Sequence, residues 1–450
     1  MLEEDKALRM RLHSLTIFRG LLEDPVVSRL AALLHAQPSD AEACADAYCA
    51  FAAALYERGG DLSTYLLKAV LEDENLYVRR AASGAPIPAE LAECLQHELC
   101  FLQELSQFDG ASLRGALKGA FLPRWGTQTL DFAARYEENI RTLPLHGYGI
   151  YAKYHVFTVH SGAIVPVRHP DPQRLDELSG YERERGKVIA NTRALLEGRP
   201  ASNVLLYGDA GTGKSSTVKA VANAFADEGL RLIEVKKNQL YQIPDLVETL
   251  SANPLKFILF IDDLSFSTND NDFAALKAIL EGSVSSRSSN LAVYATSNRR
   301  HLVKETFSDR EGDEIHLADT MQELMSLSAR FGLTITFSRP DKELYCHIVQ
   351  NLALLYGIEM PEAELMIKAE AHAIRNGGRS PRVAKQFIEL LKASGADFTG
   401  VFTSQLSTSL HFYDMTAQRF IEDNCNDMGM RVVKGLSAGT EDLLTEQGRS

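Results

Sequence analysis

A doubly wound parallel α/β sheet, preceded by an all-helical domain and followed by a small helical lid, is the fold class the sequence predicts. Three observations lead to it. Residues 1–145 show helical periodicity with helix-start signals, short apolar runs alternate with amphipathic segments from Asn203 onward, and a second helical stretch follows Pro340. Alternating strand and helix signals specify a parallel sheet covered on both faces, since parallel strands need long crossovers. The length of 450 residues also exceeds one hydrophobic core and suggests about three units, at roughly 150 residues each.

In the first region Asp24-Pro25 supplies an N-cap and a proline at the first helical position, ahead of Val26, Leu30, Leu33 and Leu34. Ser39 with Glu42 reads as a capping box for the next helix. Pro88 precedes Leu91, Leu95, Leu99, Leu102 and Leu105, a spacing that puts all five on one helix face. Residues 1–145 hold 14 Lys and Arg against 21 Asp and Glu, so −7 of the chain's −13 lies here. The region reads as an acidic interaction domain or as an accessory bundle without chemistry of its own.

Residues 150–168 change character, with aromatic and β-branched residues around Ser161-Gly162, and predict a hairpin linking the two halves. His155, His160 and His169 have no carboxylate or thiol companions at metal-ligand spacing and read as structural or solvent-facing. The predicted strands that follow are 203–207, 231–235, 257–262, 291–296 and 333–337. The expected division is an N-terminal helical domain 1–148, a hairpin linker 149–170, an α/β core 171–339, a helical lid 340–398 and a C-terminal extension 399–450 with a polar tail.

Composition narrows the function. Hydrophobic residues at 45% and charged residues at 24% fit a soluble globular protein. The longest uncharged apolar stretch, 47–56, is about half of the ~20 residues a membrane span needs, and the acidic start MLEEDKALRM has no targeting pattern. A cytoplasmic protein without a membrane partner is expected. Six cysteines without a CxxC pair argue against zinc knuckles and redox motifs; Cys44, Cys49, Cys94 and Cys100 are expected to be small buried hydrophobes. The net charge of −13 gives no footprint for non-specific nucleic-acid binding, which is kept as a minor reading.

The segment NVLLYGDAGTGKSS carries GxxxxGK[ST] between a predicted strand and a predicted helix, the context in which this pattern binds phosphate. Gly208, Gly211 and Gly213 permit backbone conformations that let the N–H groups of Asp209, Ala210, Thr212 and Ser216 converge on an anion. Lys214 would reach the β and γ phosphates of a nucleotide, and Ser215 would offer its hydroxyl to Mg²⁺. The run FILFIDD places Asp262 48 residues after Lys214. Asp262 is the expected Mg²⁺ partner and Asp263 the carboxylate that orients the attacking water. Carboxylates also end buried strands for purely structural reasons; the phosphate loop is what favours the metal reading.

Taken in order, GDAGTGKS, FILFIDD, YATSN, LSARFGL and SPRVAKQF resemble the motifs of AAA+ ATPase modules, over residues 171–395. The stretch LDELSGYERERGKVIANTRALLEG is similar to the AAA+ segment beside the adenine, which implies contacts from Leu178, Gly180 and Tyr181. More closely, IDDLSF, YATSNRRHL and RVAKQFIE resemble a bacterial group of AAA+-type ATP-binding proteins of unassigned function. The resemblance implies that Asn298 is the sensor 1 residue, Arg330 the finger offered to a neighbouring subunit's ATP, and Arg382 sensor 2, with Arg379 competing for that role. Their structural alternatives are a turn residue, a surface ion-pair former and a solvent-bonded helix start.

One departure stands out: AAA+ enzymes commonly have Glu where this chain has Asp263, whose carboxylate is one methylene shorter, which implies slow turnover. No convincing aromatic pore loop follows the second strand: Leu240-Tyr241 is the only candidate, a core contact explains it equally well, and a threading unfoldase is therefore disfavoured. The sequence therefore predicts a homo-oligomeric, Mg²⁺-dependent ATPase that remodels an unidentified protein client. Rival readings are a nucleotide-gated binding protein, a DNA-associated initiator or helicase loader, and a P-loop small-molecule kinase. A GTPase is disfavoured by the lack of an NKxD segment.

Overall fold

The computed structural model describes residues 3–264 except 38, 39, 118 and 120, together with 276, 280, 290–298 and 329–394. The predicted C-terminal extension, 399–450, lies outside the described residues.

Ten α-helices run between Glu3 and Lys153. Most of them share a core that extends from Leu12 to Tyr136 and gathers the predicted stripes, Leu30, Leu33 and Leu34 with Leu95, Leu99 and Leu102, while Val78, Leu143 and Tyr148 form a small separate cluster. Asp24 caps the helix Pro25–His35, accepting from the backbone N–H of Val26 at 2.9 Å and Val27 at 3.1 Å. The next helix, Ala41–Tyr56, is capped by Asp40, which accepts from Ala43 at 3.1 Å, rather than by the predicted Ser39, which lies outside the described residues. Of the four helical cysteines only Cys44 is buried; Cys49 and Cys100 are exposed.

Seven strands form one sheet: β1 (Val156–His160), β2 (Ala163–Pro166), β3 (Val204–Gly208), β4 (Leu230–Glu234), β5 (Lys256–Ile261), β6 (Leu291–Ser297) and β7 (Leu333–Phe337). The order is β2-β1-β4-β5-β6-β3-β7, and every pairing except β1–β2 is parallel. The five predicted strands are all present, each end within one residue. Ser161 at φ 49° and Gly162 at φ 80° form the tight turn of the hairpin, both in the left-handed region that a two-residue turn of this hand requires. The hairpin is not the separate linker that the sequence suggests. β1 pairs with β4, Val156 opposite Leu232, so residues 156–166 are the edge of the main sheet.

The central strands are apolar runs because both faces are covered. On one face Leu206, Phe260, Tyr294 and Ile335 meet the helices Glu182–Leu196 and Lys214–Ala224 and the three C-terminal helices. On the other, Leu205, Leu259, Val293 and Ala295 meet Ile243, Leu246 and Leu250 of the helix Ile243–Ser251. The C-terminal helices are Lys342–Tyr356, Glu362–Arg375 and Pro381–Ser394. Among the described residues no helix is long and apolar enough to cross a membrane.

Arg231 ties the helical region to the sheet. Its buried guanidinium donates to the carbonyls of Tyr151, Ala226 and Leu230 at 2.8 Å and of His146 at 2.9 Å. Burial pulls its pKa down to about 10. Arg231→Met would bury these carbonyls without their donors and is expected to cost at least about 3 kcal/mol, since each orphaned polar group costs roughly 1–3. A lowered urea midpoint at unchanged slope is the expected signature; an unshifted midpoint would show the staple to be inert.

Candidate functional site

At the C-terminal end of β3 the chain turns where only glycine fits. Gly208 has φ 138°, and a Cβ there would lie 2.0 Å from the carbonyl oxygen of Phe337 on the neighbouring β7. Gly211 and Gly213 follow at φ 75° and 90°, and the helix Lys214–Ala224 begins directly after. The Thr212 hydroxyl donates to the Asp209 carbonyl at 2.9 Å and closes the loop, with Ala210 at its exposed tip. Two further contacts hold it from outside: Asp209 Oδ2 accepts from the Arg339 N–H at 2.9 Å, and the Gly211 carbonyl from the Arg382 N–H at 3.1 Å. The second places the last lid helix against the loop.

Lys214 is 5% exposed and its ammonium donates to three oxygens, the carbonyls of Asp209 at 2.7 Å and Gly208 at 3.1 Å and Asn298 Oδ1 at 3.0 Å. Burial lowers its pKa, against the opposing pull of Asp209, Asp263 and Asp262. The Asn298 amide also donates from Nδ2 to Asp263 Oδ1 at 2.7 Å. Only this amide orientation serves both neighbours, since one needs an acceptor and the other a donor. Lys214, Asn298 and Asp263 thus form one hydrogen-bonded chain.

Beside it, Asp262 Oδ1 accepts from the hydroxyls of Ser215 at 2.6 Å and Thr296 at 2.5 Å. The Asp263 N–H reaches Thr296 Oγ1 at 2.9 Å and Asp262 Oδ1 at 3.1 Å, and Asp263 sits at φ 52°, in the left-handed region. Ser215 and Asp262 are a hydroxyl and a carboxylate at the foot of a phosphate loop. Such hard oxygen donors suit a divalent cation that keeps several waters and takes further oxygens from phosphate. Among the described residues no group of three His, Cys, Asp or Glu is placed to hold a metal without such help.

A cavity of about 600 Å³ opens between loop and lid, lined among others by Leu178, Ser216, Ile348, Leu352, Tyr356 and Arg382. Leu178 faces it, but Gly180 and Tyr181, expected as contacts on the same footing, are not among its lining residues. Tyr181 is buried, donates its hydroxyl to the Ser338 carbonyl at 2.6 Å and stacks near Phe337. Gly180, at φ 74°, lets the turn approach Ile348, which an added Cβ would meet at 2.9 Å. Arg379 gives Nε and Nη2 to Glu370 at 3.1 and 2.5 Å, whereas Arg382 lines the cavity.

Arg330 lies away from this site. Leu333 is level with Val204 and Phe337 with Gly208, so β7 begins at the sheet edge opposite the phosphate loop. Arg330, half-buried, precedes that start by three residues and is more than about 13 Å from its own loop, at ~3.3 Å per strand residue. Leu240 is buried while Tyr241 is 66% exposed, so a core contact accounts for the leucine and not for the tyrosine. Thr296, inside the YATSN run, has no role assigned by the sequence; its signal is its place two residues before Asn298, at the end of β6.

Fold and site together define an α/β protein with a phosphate-loop site. The chain belongs to the family described as "Protein of unknown function (DUF815)", whose model matches residues 151–395, more than half of its length. Among solved structures it is similar to the Holliday junction branch migration motor RuvB of Thermotoga maritima, at 19% identity over 48% of this chain and 63% of that one, with a TM-score of 0.32. It is also similar to AMPPCP-bound DnaA from Aquifex aeolicus, at 16% identity over 61% of this chain and 79% of that one, with a TM-score of 0.38.

Proposed function

We propose that the chain binds ATP with Mg²⁺ and hydrolyses it, using the cycle to change its hold on a macromolecular partner. The observation that carries this reading is the hydrogen-bonded chain Lys214–Asn298–Asp263 lying beside the Ser215–Asp262 pair. Loop N–H groups and the start of the helix Lys214–Ala224 receive the phosphates, and the Lys214 ammonium contacts the β and γ groups. Ser215 and Asp262 would hold Mg²⁺, which when bound draws charge off the phosphate oxygens. Asp263 accepts the proton of the attacking water and Asn298 fixes its position, as water adds to the γ phosphorus and the bond to the bridging oxygen of ADP breaks. Arg382 reports the γ phosphate to the lid, and Leu178 borders the base.

Asp263→Asn is expected to keep ATP binding within about threefold and to lower single-turnover hydrolysis by 10² or more, the range of general-base contributions. Unchanged hydrolysis would remove Asp263 from the reaction. A second reading, a nucleotide-gated binding protein with slow turnover, is favoured by the short Asp263 side chain, engaged by Asn298 at 2.7 Å. Hydrolysis much slower than ADP release, with a partner held only in the ATP state, would decide for it.

The partner is proposed to be a protein, held by the acidic helical region in a cytoplasmic homo-oligomer. The exposed Tyr241 gives a polymer-handling role one supporting residue. A nucleic-acid partner, as for an initiator or helicase loader, is disfavoured by the net charge of −13. DNA affinity that falls steeply with rising salt would reverse that judgement.

A further inference from the structure

Thr296 is 2% exposed and its hydroxyl joins both aspartates of the site. β6 runs Leu291–Ser297 and side chains alternate along it, so Thr296 and Ser297 lie on opposite faces; Thr296, and Asn298 just past the strand, reach the two aspartates that follow β5. The hydroxyl's single proton goes to Asp262 Oδ1 at 2.5 Å, and its oxygen accepts from the Asp263 N–H at 2.9 Å. Resting on the hydrolytic reading above, we infer that Thr296 is a positioning residue that sets the metal-side carboxylate of Asp262 and the water-side carboxylate of Asp263 at the same time.

The two bonds do different work. The one to Asp262 holds the carboxylate whose same oxygen meets the Ser215 hydroxyl at 2.6 Å, so the two proposed metal-side groups are aligned before any cation arrives. The one from the Asp263 N–H secures a backbone at φ 52°, a conformation uncommon outside glycine. In that conformation the Asp263 carboxylate meets Asn298 at 2.7 Å. A side chain one methylene shorter than Glu cannot adjust its reach by rotation alone, so its position depends on the backbone that carries it. Thr296 fixes that backbone, and its branched Cβ restricts its own χ1 and thereby the direction of the hydroxyl.

A buried, satisfied threonine with no part in the reaction would move only stability when changed. The test compares Thr296→Val and Thr296→Ser in the full chain, following ATP hydrolysis, ATP affinity by calorimetry and the Mg²⁺ concentration needed for half-maximal effect. Thr296→Val is expected to lower kcat about tenfold or more, the size of a lost hydrogen bond to a charged group, with ATP affinity at saturating Mg²⁺ within about threefold. It should also raise the Mg²⁺ requirement, and Thr296→Ser should restore most of both. If Thr296→Val does not fold, Thr296→Cys keeps the volume with only weak hydrogen bonding and carries the same expectation. Wild-type kcat and Mg²⁺ dependence in the valine or cysteine variant, or a serine variant as impaired as valine, would overturn the inference. A wild-type chain that binds Mg-ATP without hydrolysing it would defeat the hydrolytic reading instead. The Mg²⁺ requirement for binding still judges Thr296 there, and no change in it would again overturn the inference.

Discussion

Lys214→Ala is expected to weaken ATP binding at least about a hundredfold, equivalent to roughly 3 kcal/mol, while leaving the chain folded. The ammonium lies against the Gly208 and Asp209 carbonyls and Asn298 Oδ1, all within 3.1 Å. Removing it takes away the cation proposed to contact the β and γ phosphates. It also leaves three partly negative oxygens facing the incoming anion, so lost attraction and new repulsion add. Folding should survive because the side chain is bound only to groups around the site, which water can solvate once the ammonium is gone. Calorimetry on the variant is the measurement. Wild-type affinity would mean that nucleotide phosphates bind elsewhere and that this loop is a glycine turn of no chemical use.

The parts of the fold that were legible in the sequence are those fixed by local pattern. Strands covered on both faces must be continuous apolar runs, so β3 to β7 stand out from the amphipathic helices between them. The phosphate loop is legible for a similar reason, because its glycines answer backbone demands within eight residues, Gly208 to Ser215. The place of the hairpin was not legible. Its pattern specifies two paired strands, but the pairing of Val156 with Leu232 is a choice between segments 76 residues apart, and no local signal records it. The cap at Asp40 shows the smallest version of this limit: Ser39 and Asp40 are both competent cap residues by type, and residue type does not choose between neighbours.

Within the site, the groups that carry charge were visible and those that orient them were not. Asp262, Asp263 and Lys214 stand out as charged motif residues; Thr296 lies in the YATSN run with Asn298, yet its importance rests in two hydrogen bonds that need three-dimensional neighbours. Leu178, Gly180 and Tyr181 illustrate the same gap. A segment placed beside a ligand by resemblance does not say which side chains face it, and the left-handed backbone at Tyr181, φ 61°, directs that ring against Phe337. Arg379 and Arg382, three residues apart and equivalent by type, separate only once Glu370 is seen to hold the first.

Arg330→Ala is expected to lower turnover by about 10³ in the assembled protein while leaving ATP affinity nearly intact, the scale of a lost arginine finger. The geometry that motivates this is the register of β7 with β3, which puts Arg330 beyond the N-terminal edge of the sheet while the phosphate loop occupies the C-terminal edge. A guanidinium there is too far from its own nucleotide to stabilise charge on the transferring phosphoryl group. It can do so only for a nucleotide on another copy docked against that edge. Two consequences separate this from a structural role. Turnover per subunit should rise with protein concentration through the range where copies associate, and it should be lost on dilution. Mixing Arg330→Ala with Lys214→Ala subunits, each inactive alone, should restore part of the activity, because some interfaces then pair an intact phosphate loop from one parent with an intact arginine from the other. A purely structural arginine gives no such rescue, since each defect would stay within its own subunit. Turnover that is the same down to verified monomer and indifferent to Arg330→Ala would exclude action in trans and favour a monomeric switch.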